Sequence, residues 1–415
     1  MKPLLFLSAS ALVASCFTPV PGAAQMEPAR MPVDSASAPA DTTAVPQRDA
    51  FDLLDELLGR RVEPELSGAA PRTGLQWALL PTFSYNPVYG AAFGLMATGA
   101  GRRGSSLARY SSLSVSGNIS TTGQVQAQVR GDVFSPGSRY LTKGDFRYLD
   151  TDRSTWGLGP ISEDQEEYPM EFVLYRAYAT FYRVVSAPVF VGLGYHYDEF
   201  DDIVDKRAQQ GETTPFTTYS GDHVARTVAS GLSINLLGDT RDNLVNPASG
   251  YFLSLSFRNY MKSIGSDDNW QEMWAEMRLY PHLPKRSPHV LGFWLYTWFS
   301  FGPAPYLNRP SNGWDMYGRG ARGYLTGRIR GPYQLYLETE YRRTLTRDGL
   351  WGAVVFLNLT CTTNPETNTF GAADPGMGIG VRMKFNKHSN TNLTIDHGWG
   401  RGGSRGFFLG MSEAF

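Results

Sequence analysis

From Leu75 onward the chain alternates apolar and polar residues in short bursts, each broken by glycine, proline, asparagine or a cluster of charge. Between Gln124 and Val133, residues Gln124, Gln126, Gln128, Arg130 and Asp132 share one side, while Val125, Ala127, Val129 and Val133 take the other. Between Tyr333 and Arg342, residues Gln334, Glu338, Glu340 and Arg342 oppose Tyr333, Leu335, Leu337 and Tyr341. Further on, Met377, Ile379, Val381, Met383 and Phe385 face away from Gly376, Gly378, Gly380, Arg382 and Lys384. Successive side chains of a strand point to opposite faces, so this period-2 pattern predicts strands rather than helices. Sixteen are predicted: 75–85, 90–99, 107–119, 122–134, 140–148, 171–184, 188–199, 223–238, 250–261, 269–281, 289–302, 333–344, 350–362, 376–386, 391–400 and 406–415.

The connections order these strands. Those after even-numbered strands are mostly short, as at Ser186-Ala187-Pro188, Pro284–Ser287, Arg347-Asp348-Gly349 and Lys387–Asn390. Several after odd-numbered strands are long, as at Asp150–Met170, Phe200–Asp222 and Gly302–Pro332. Short turns on one side and long loops on the other are the pattern of an outer-membrane barrel, whose short turns are periplasmic. An even strand number puts both termini on that side. Charges such as Arg130, Asp132, Glu338, Glu340 and Arg382 stand opposite strongly apolar faces. A barrel with lipid outside and a wet lumen accommodates them, whereas a soluble sandwich or propeller would have water on both sides. The expected fold is therefore all-β, a sixteen-stranded antiparallel transmembrane β-barrel over residues 75–415. Phe415 would end its last strand, with Phe407, Leu409 and Met411 facing lipid.

Composition narrows the classes. Among 415 residues, 42% are hydrophobic and 13% aromatic, and the formal net charge is −1, without the basic excess of a nucleic-acid surface. Beyond the N-terminus no apolar run approaches the roughly 18 residues a transmembrane helix needs. Two cysteines, Cys16 and Cys361, make neither a disulfide framework nor a metal cluster, and no cofactor is expected. Lys2, the apolar run Leu4–Phe17 and Gly22-Ala23-Ala24 predict a secretory signal over 1–24, with Gln25 as the mature start. The alternative is a lipobox, Val13-Ala14-Ser15-Cys16, acylated at Cys16. Residues 25–74 form a tail rich in Pro, Ala, Ser, Asp and Thr, expected to be disordered and periplasmic. It contains one short helix at about 49–60, with Asp49 as N-cap, Phe51, Leu54, Leu57 and Leu58 on one face, and Gly59 as the stop. That helix reads as a surface element, the sharper alternative being a plug or docking peptide at the barrel mouth.

Four sets of residues carry a family resemblance. They are Ser84–Gly90 (SYNPVYG); Gly238 to Asn243 (GDTRDN) followed by Asn246-Pro247 and Gly250-Tyr251; Arg322-Gly323-Tyr324; and Gly378 to Arg382 (GIGVR) followed by Ile395-Asp396-His397-Gly398. In this order they resemble the barrel domain of the BamA/TamA superfamily, the bacterial surface antigen family, over about residues 75–415. The resemblance implies that the long loop between strands eleven and twelve folds into the lumen. Arg322 would then meet Glu340 and the position of Asn358, where the family usually has Asp. Both fall on the polar side of their strands, and a guanidinium is best matched by a bidentate carboxylate, which weights Glu340 above Asn358. The turn residues Asp239, Arg241, Asp242, Asn243, Pro247 and Gly250 read as turn chemistry, with a role in folding. Gly378, Gly380, Arg382 and Asp396 would belong to the terminal strands, and Gly410 with Phe415 matches an assembly signal, although Glu413 stands where an aromatic or apolar residue is usual. Glycines on the polar faces of strands fourteen and sixteen would weaken packing near a seam. The residues before Leu75 do not fit the family's periplasmic transport-associated domains, so a barrel-only member is expected.

The resemblance implies an outer-membrane barrel that assists assembly, insertion or translocation of proteins, through a weakly paired first and last strand. The alternative is a passive pore or structural barrel without clients. Expected partners are outer-membrane lipid and lipopolysaccharide, with client proteins or a separately encoded periplasmic protein as further candidates; the barrel is expected to be a monomer and to bind no nucleic acid. An enzyme is not expected. Asp198, Glu199, Asp201, Asp202 and Asp205 beside His196 form the densest acidic cluster, but they lack EF-hand spacing and read as a solvated loop. No serine or cysteine nucleophile motif accompanies a histidine. His223, His282, His289, His388 and His397 read as turn or strand residues.

Overall fold

A computed structural model describes residues 45–60, 74–86, 90–104, 108–162, 165–221, 224–283, 288–315, 318–387 and 389–415. The expected signal and its lipobox alternative at Cys16, most of the tail, the tip of the first hairpin, the turn at 284–287, His223 and His388 lie outside them.

The strands are β1 (Gly74–Asn86), β2 (Gly90–Arg102), β3 (Tyr110–Ser120), β4 (Val125–Phe134), β5 (Tyr140–Thr155) and β6 (Tyr168–Ser186). Then come β7 (Val189–Asp205), β8 (Thr227–Asp239), β9 (Gly250–Tyr260), β10 (Trp270–Tyr280) and β11 (His289–Phe301). The last five are β12 (Tyr333–Thr344), β13 (Trp351–Thr362), β14 (Asp374–Asn386), β15 (Thr391–Gly400) and β16 (Arg405–Met411). Two short helices join them, α1 (Ala50–Leu57) and α2 (Pro215–Ser220). All sixteen strands form one sheet in chain order, each antiparallel to the next. Among the described residues no ladder joins β16 back to β1.

Alternation located these strands to within a few residues, with three corrections. β5 continues to Thr155 and β7 to Asp205, into stretches expected to be loops. On β5 both faces are polar there, and on β7 the pair Asp201-Asp202 and a ladder irregularity break the alternation before Ile203, so the period-2 contrast is lost, yet a ladder needs only backbone groups. The third correction concerns the chain end. β16 stops at Met411, and Ser412 adopts a left-handed φ of 71° that turns the last residues inward.

The sheet is inverted relative to a soluble one. Leu232, Ile234 and Leu236 on β8, Val355, Leu357 and Leu359 on β13, and Met377, Ile379 and Val381 on β14 are exposed. Arg258, Glu272, Glu276, Glu338, Glu340, Arg382 and Asp396 are buried on the opposite face. This is the sidedness of a barrel whose outer surface meets hydrocarbon. The sheet is rolled: Arg109, beside β3, donates to the carbonyl of Asp239 at the end of β8 at 2.9 Å, and Arg342 on β12 donates to the Pro247 carbonyl at 3.2 Å.

The interior is not the uniformly aqueous bore the alternation implied. On the β10–β12 side, inward aromatics form a packed core, with Trp274 stacked on Tyr296 at 4.7 Å and Tyr296 on Tyr336 at 4.8 Å. Beside this core, and sharing Ala414 and Phe415 with it, lies a cavity of about 360 Å³, lined by Lys143, Tyr182, His196, Asn235, Arg258 and Arg319 among others.

Candidate functional site

The long loop between β11 and β12 is braced before it reaches the wall. Arg309 donates to Ser300 Oγ at 2.9 Å and the Gly302 carbonyl at 2.8 Å, and Arg330 to the Tyr306 carbonyl at 3.1 Å. Asn312 joins the two legs of the loop through the Leu325 carbonyl at 2.8 Å and the Ile329 amide at 2.7 Å. The Asp315 carboxylate accepts from the amides of Gly318 at 3.0 Å and Gly320 at 2.8 Å, just ahead of Arg322.

Arg322 is buried and its guanidinium meets three carboxylates. Nη1 lies 2.6 Å from Asp396 Oδ2 on β15, and Nη2 is shared between Glu338 and Glu340 on β12. Its face lies 3.8 Å from the centroid of the Phe356 ring on β13. Asn358 takes a different part of the same residue: its Nδ2 donates to the Arg322 backbone carbonyl at 3.0 Å. Glu340 also accepts from Arg342 Nε at 2.7 Å, and Asp396 from Arg382 Nη1 at 2.5 Å. Desolvating so many charges is tolerable only because each is paired and hydrogen-bonded.

Glycines shape the seat on which the loop rests. A Cβ at Gly398 would lie 2.7 Å from the Gly323 amide nitrogen, and one at Gly400 would lie 2.6 Å from the Tyr324 ring. A Cβ at Gly376 would lie 2.9 Å from the Arg322 carbonyl oxygen, and one at Gly378 would run into the Phe356 ring. The β14 glycines, expected from sequence to weaken packing near a seam, admit the loop backbone and the ring beneath its arginine. Tyr324 finishes the docking, its hydroxyl donating to the Pro375 carbonyl at 2.5 Å and accepting from the Arg401 amide at 2.8 Å.

The chain end joins this network from below. Glu413 accepts from Arg382 Nε at 2.7 Å and from Asn392 Nδ2 at 2.7 Å, and lies 3.7 Å from Arg342. Phe415 packs on Trp294 with ring centroids 5.4 Å apart, above Gly292, and its carbonyl accepts from Arg342 Nη2 at 2.8 Å. Phe415 is thus neither on a strand nor toward lipid, which corrects the terminal-strand expectation. Glu413 is charged because it points into the barrel. Arg319 straps the tail by donating to the Met411 carbonyl at 2.7 Å and to that of Glu413. Burial, with the like charge of Arg130 nearby, pushes the Arg319 guanidinium down to about 10, which leaves it protonated at neutral pH. Gly410, inside β16, faces Thr394.

The β8–β9 turn forms the floor. Arg241 forks onto Asp239 at 2.8 and 3.0 Å, Asp242 accepts from the Asn243, Ala248 and Ser249 amides, and Asn243 accepts from Val245 and Asn246. Gly250, at φ 97°, has no room for a Cβ against Thr240. The turn also reaches the β14–β15 turn, through Asn243 to Ser389 at 3.4 Å and Asn246 to Asn390 at 3.3 Å.

The acidic cluster is not a solvated loop. It lies on β7, where Asp198 is buried and accepts from Arg176 at 2.7 and 2.8 Å and from Tyr178 at 2.5 Å. Asp205 accepts from Thr214 at 2.5 Å, and Asp202 sits at a positive φ of 50° beside a ladder irregularity. His196 lies 2.9 Å from Ser233 Oγ, a pair the spacing did not reveal. Among the described residues its Nδ1 has no hydrogen-bond partner, and no described carboxylate orients the ring as a hydrolytic triad requires.

Sixteen antiparallel strands in a meander, apolar outside and ionic within, define the chain as an all-β fold of the outer-membrane-barrel type. The same fold occurs in the crystal structure of BamA from Haemophilus ducreyi lacking POTRA domains 1–3, at a TM-score of 0.52 and 13% identity, covering 82% of this chain and 70% of that one. Fainter likenesses are to Wzi, an outer-membrane protein involved in group 1 capsule assembly in Escherichia coli (TM-score 0.31, 11% identity, 82% of this chain and 83% of that one), and to OccK11 (OpdR) of Pseudomonas aeruginosa (TM-score 0.31, 10% identity, 80% and 91%). No family model and no curated protein matches the chain.

Proposed function

We propose that the chain is an outer-membrane barrel that assists the assembly or insertion of other membrane proteins at the seam between β1 and β16. The observation that carries this reading is the form of the last strand. β16 is seven residues long, and the residues after it are held inside by Arg319, Arg342 and Arg382. The residues that could have lengthened the edge toward β1 are thereby withdrawn from it. In hydrocarbon an unpaired strand edge leaves amides and carbonyls without partners, at several kcal/mol each, so such an edge favours any strand that will pair with it. A nascent barrel strand supplies that pairing by β-augmentation. The rigid loop lock on β12–β15 holds the neighbouring wall while the edge exchanges partners.

The test is reconstitution. Liposomes carrying the protein should fold a urea-unfolded outer-membrane barrel faster than empty liposomes of the same lipid. Disulfides joining β1 to β16 should remove that gain. Liposomes that merely conduct ions, with client folding at the empty-liposome rate, would support a passive pore instead.

A further inference from the structure

We infer that helix α1 is an interfacial anchor, lying on the headgroup layer of the membrane on the side of the short turns, with lipid as its partner. The inference rests on the reading of the outer strand faces as lipid-facing. The helix is firmly placed. Asp49 caps it by accepting from the Phe51 and Asp52 amides at 3.1 Å, and Asp52 returns the bond to the Asp49 amide at 2.9 Å. Asp49 also accepts from the Lys387 amide at 3.0 Å, Lys387 Nζ binds Asp52 at 2.8 Å, and the Arg48 amide donates to the Asp348 carbonyl at 3.0 Å. These bonds fix α1 to the β12–β13 and β14–β15 turns.

The placement leaves an oily side uncovered. Leu57 is 84% exposed, Leu58 58%, Leu54 51% and Phe51 41%. At 100° per residue these four fall within about a third of the helix circumference. The patch continues the outer wall: the Phe51 ring meets Phe385 edge-on at 5.0 Å, and Phe385 follows the outward row Met377, Ile379, Val381 and Met383 along β14. The acidic residues of α1 lie off this patch and are paired. Asp52 binds Lys387, Glu56 binds Arg48 at 2.5 Å, and Asp55 lies 3.5 Å from Arg60. A short amphipathic helix with a large apolar face and neutralised carboxylates, joined edge to edge with a hydrocarbon-facing sheet, fits the boundary between headgroups and acyl chains.

The test uses the full chain with Cys16 and Cys361 replaced by serine, reconstituted in vesicles, with a polarity-sensitive fluorophore on one cysteine at a time. Leu54→Cys and Leu57→Cys labels should be blue-shifted and quenched by lipids brominated near the headgroup. A Glu56→Cys label should be neither. An Ile379→Cys label, on the wall, should be quenched by lipids brominated deeper in the chain. Quenching at Ile379 without quenching at Leu54 and Leu57 overturns the inference while leaving the lipid-facing wall intact. No quenching at Ile379 overturns the reading of the wall, and the inference with it.

Discussion

The middle of the wall and its last edge are built on opposite plans. β6 and β7 run 19 and 17 residues and pair along nearly their whole length. β16 runs seven residues and, among the described residues, pairs with β15 alone; beyond it one more backbone bond, from the Ser412 amide to the Asn392 carbonyl at 2.8 Å, precedes the turn inward, where side chains tie the last residues to the interior. Where both neighbours are permanent, ladder hydrogen bonds hold the wall. On the proposed reading one neighbour of β16 is exchanged, and stability there has to come from somewhere that does not occupy the edge. The loop lock on β12–β15 and the tucked tail supply it from inside.

Breaking the lock should have the largest effect. Arg322→Ala leaves Glu338, Glu340 and Asp396 without their shared cation, and removing one partner of a buried ionic set costs about 3–5 kcal/mol. The expected outcome is a lower level of folded barrel and loss of heat-modifiability on gels, with Arg322→Lys recovering only part, because an ammonium lacks the fork. Retained heat-modifiability in Arg322→Ala would remove the lock from the account. Phe415→Ala comes next, at up to about 3 kcal/mol, by emptying the contact with Trp294 and Tyr280, read as a lower urea midpoint for unfolding. Gly398→Val should cost about 1–3 kcal/mol by forcing Gly323 off the wall, and should expose the loop at Arg328 to trypsin.

The smallest change sharpens the comparison most. Asn358→Asp restores the residue usual in the resembling family, so resemblance alone predicts a gain. In this structure Asn358 donates to a carbonyl, which a carboxylate cannot do, and its ladder partner is Glu338. A loss of about 1 kcal/mol is expected from the broken hydrogen bond and added repulsion, measured as a small drop in the same urea midpoint.

Much of this was legible in the chain, for physical reasons that also mark where legibility stops. Strand positions follow from the contrast between two faces, whereas Glu340 rests on the family resemblance, with its place on the polar side of β12 as support. Glu338 shares that face two residues earlier and was there to be read. The contrast fails on β11, where Trp294, Tyr296 and Trp298 face inward between outward Phe293, Leu295 and Phe299, so the aromatic interior left no trace in the alternation. It misleads at the end, where Phe407, Leu409, Met411 and Phe415 keep an apolar row in register. The charge at Glu413 was the break in that row, but the left-handed turn at Ser412 that makes sense of it has no sequence mark. The glycines of β14 and β15 were visible; the backbone they admit was not, because it comes from a loop some fifty residues or more away.

The central claim is that the chain end lies inside the barrel and leaves the last edge short. In a Cys361→Ser background, Phe415→Cys should be joined within one molecule to Gly292→Cys by a short thiol-specific cross-linker in reconstituted membranes. It should not be joined to a cysteine placed at Leu79 on β1. Cross-linking to Leu79, with none to Gly292, would show a full-length last strand closing the sheet and would contradict the account.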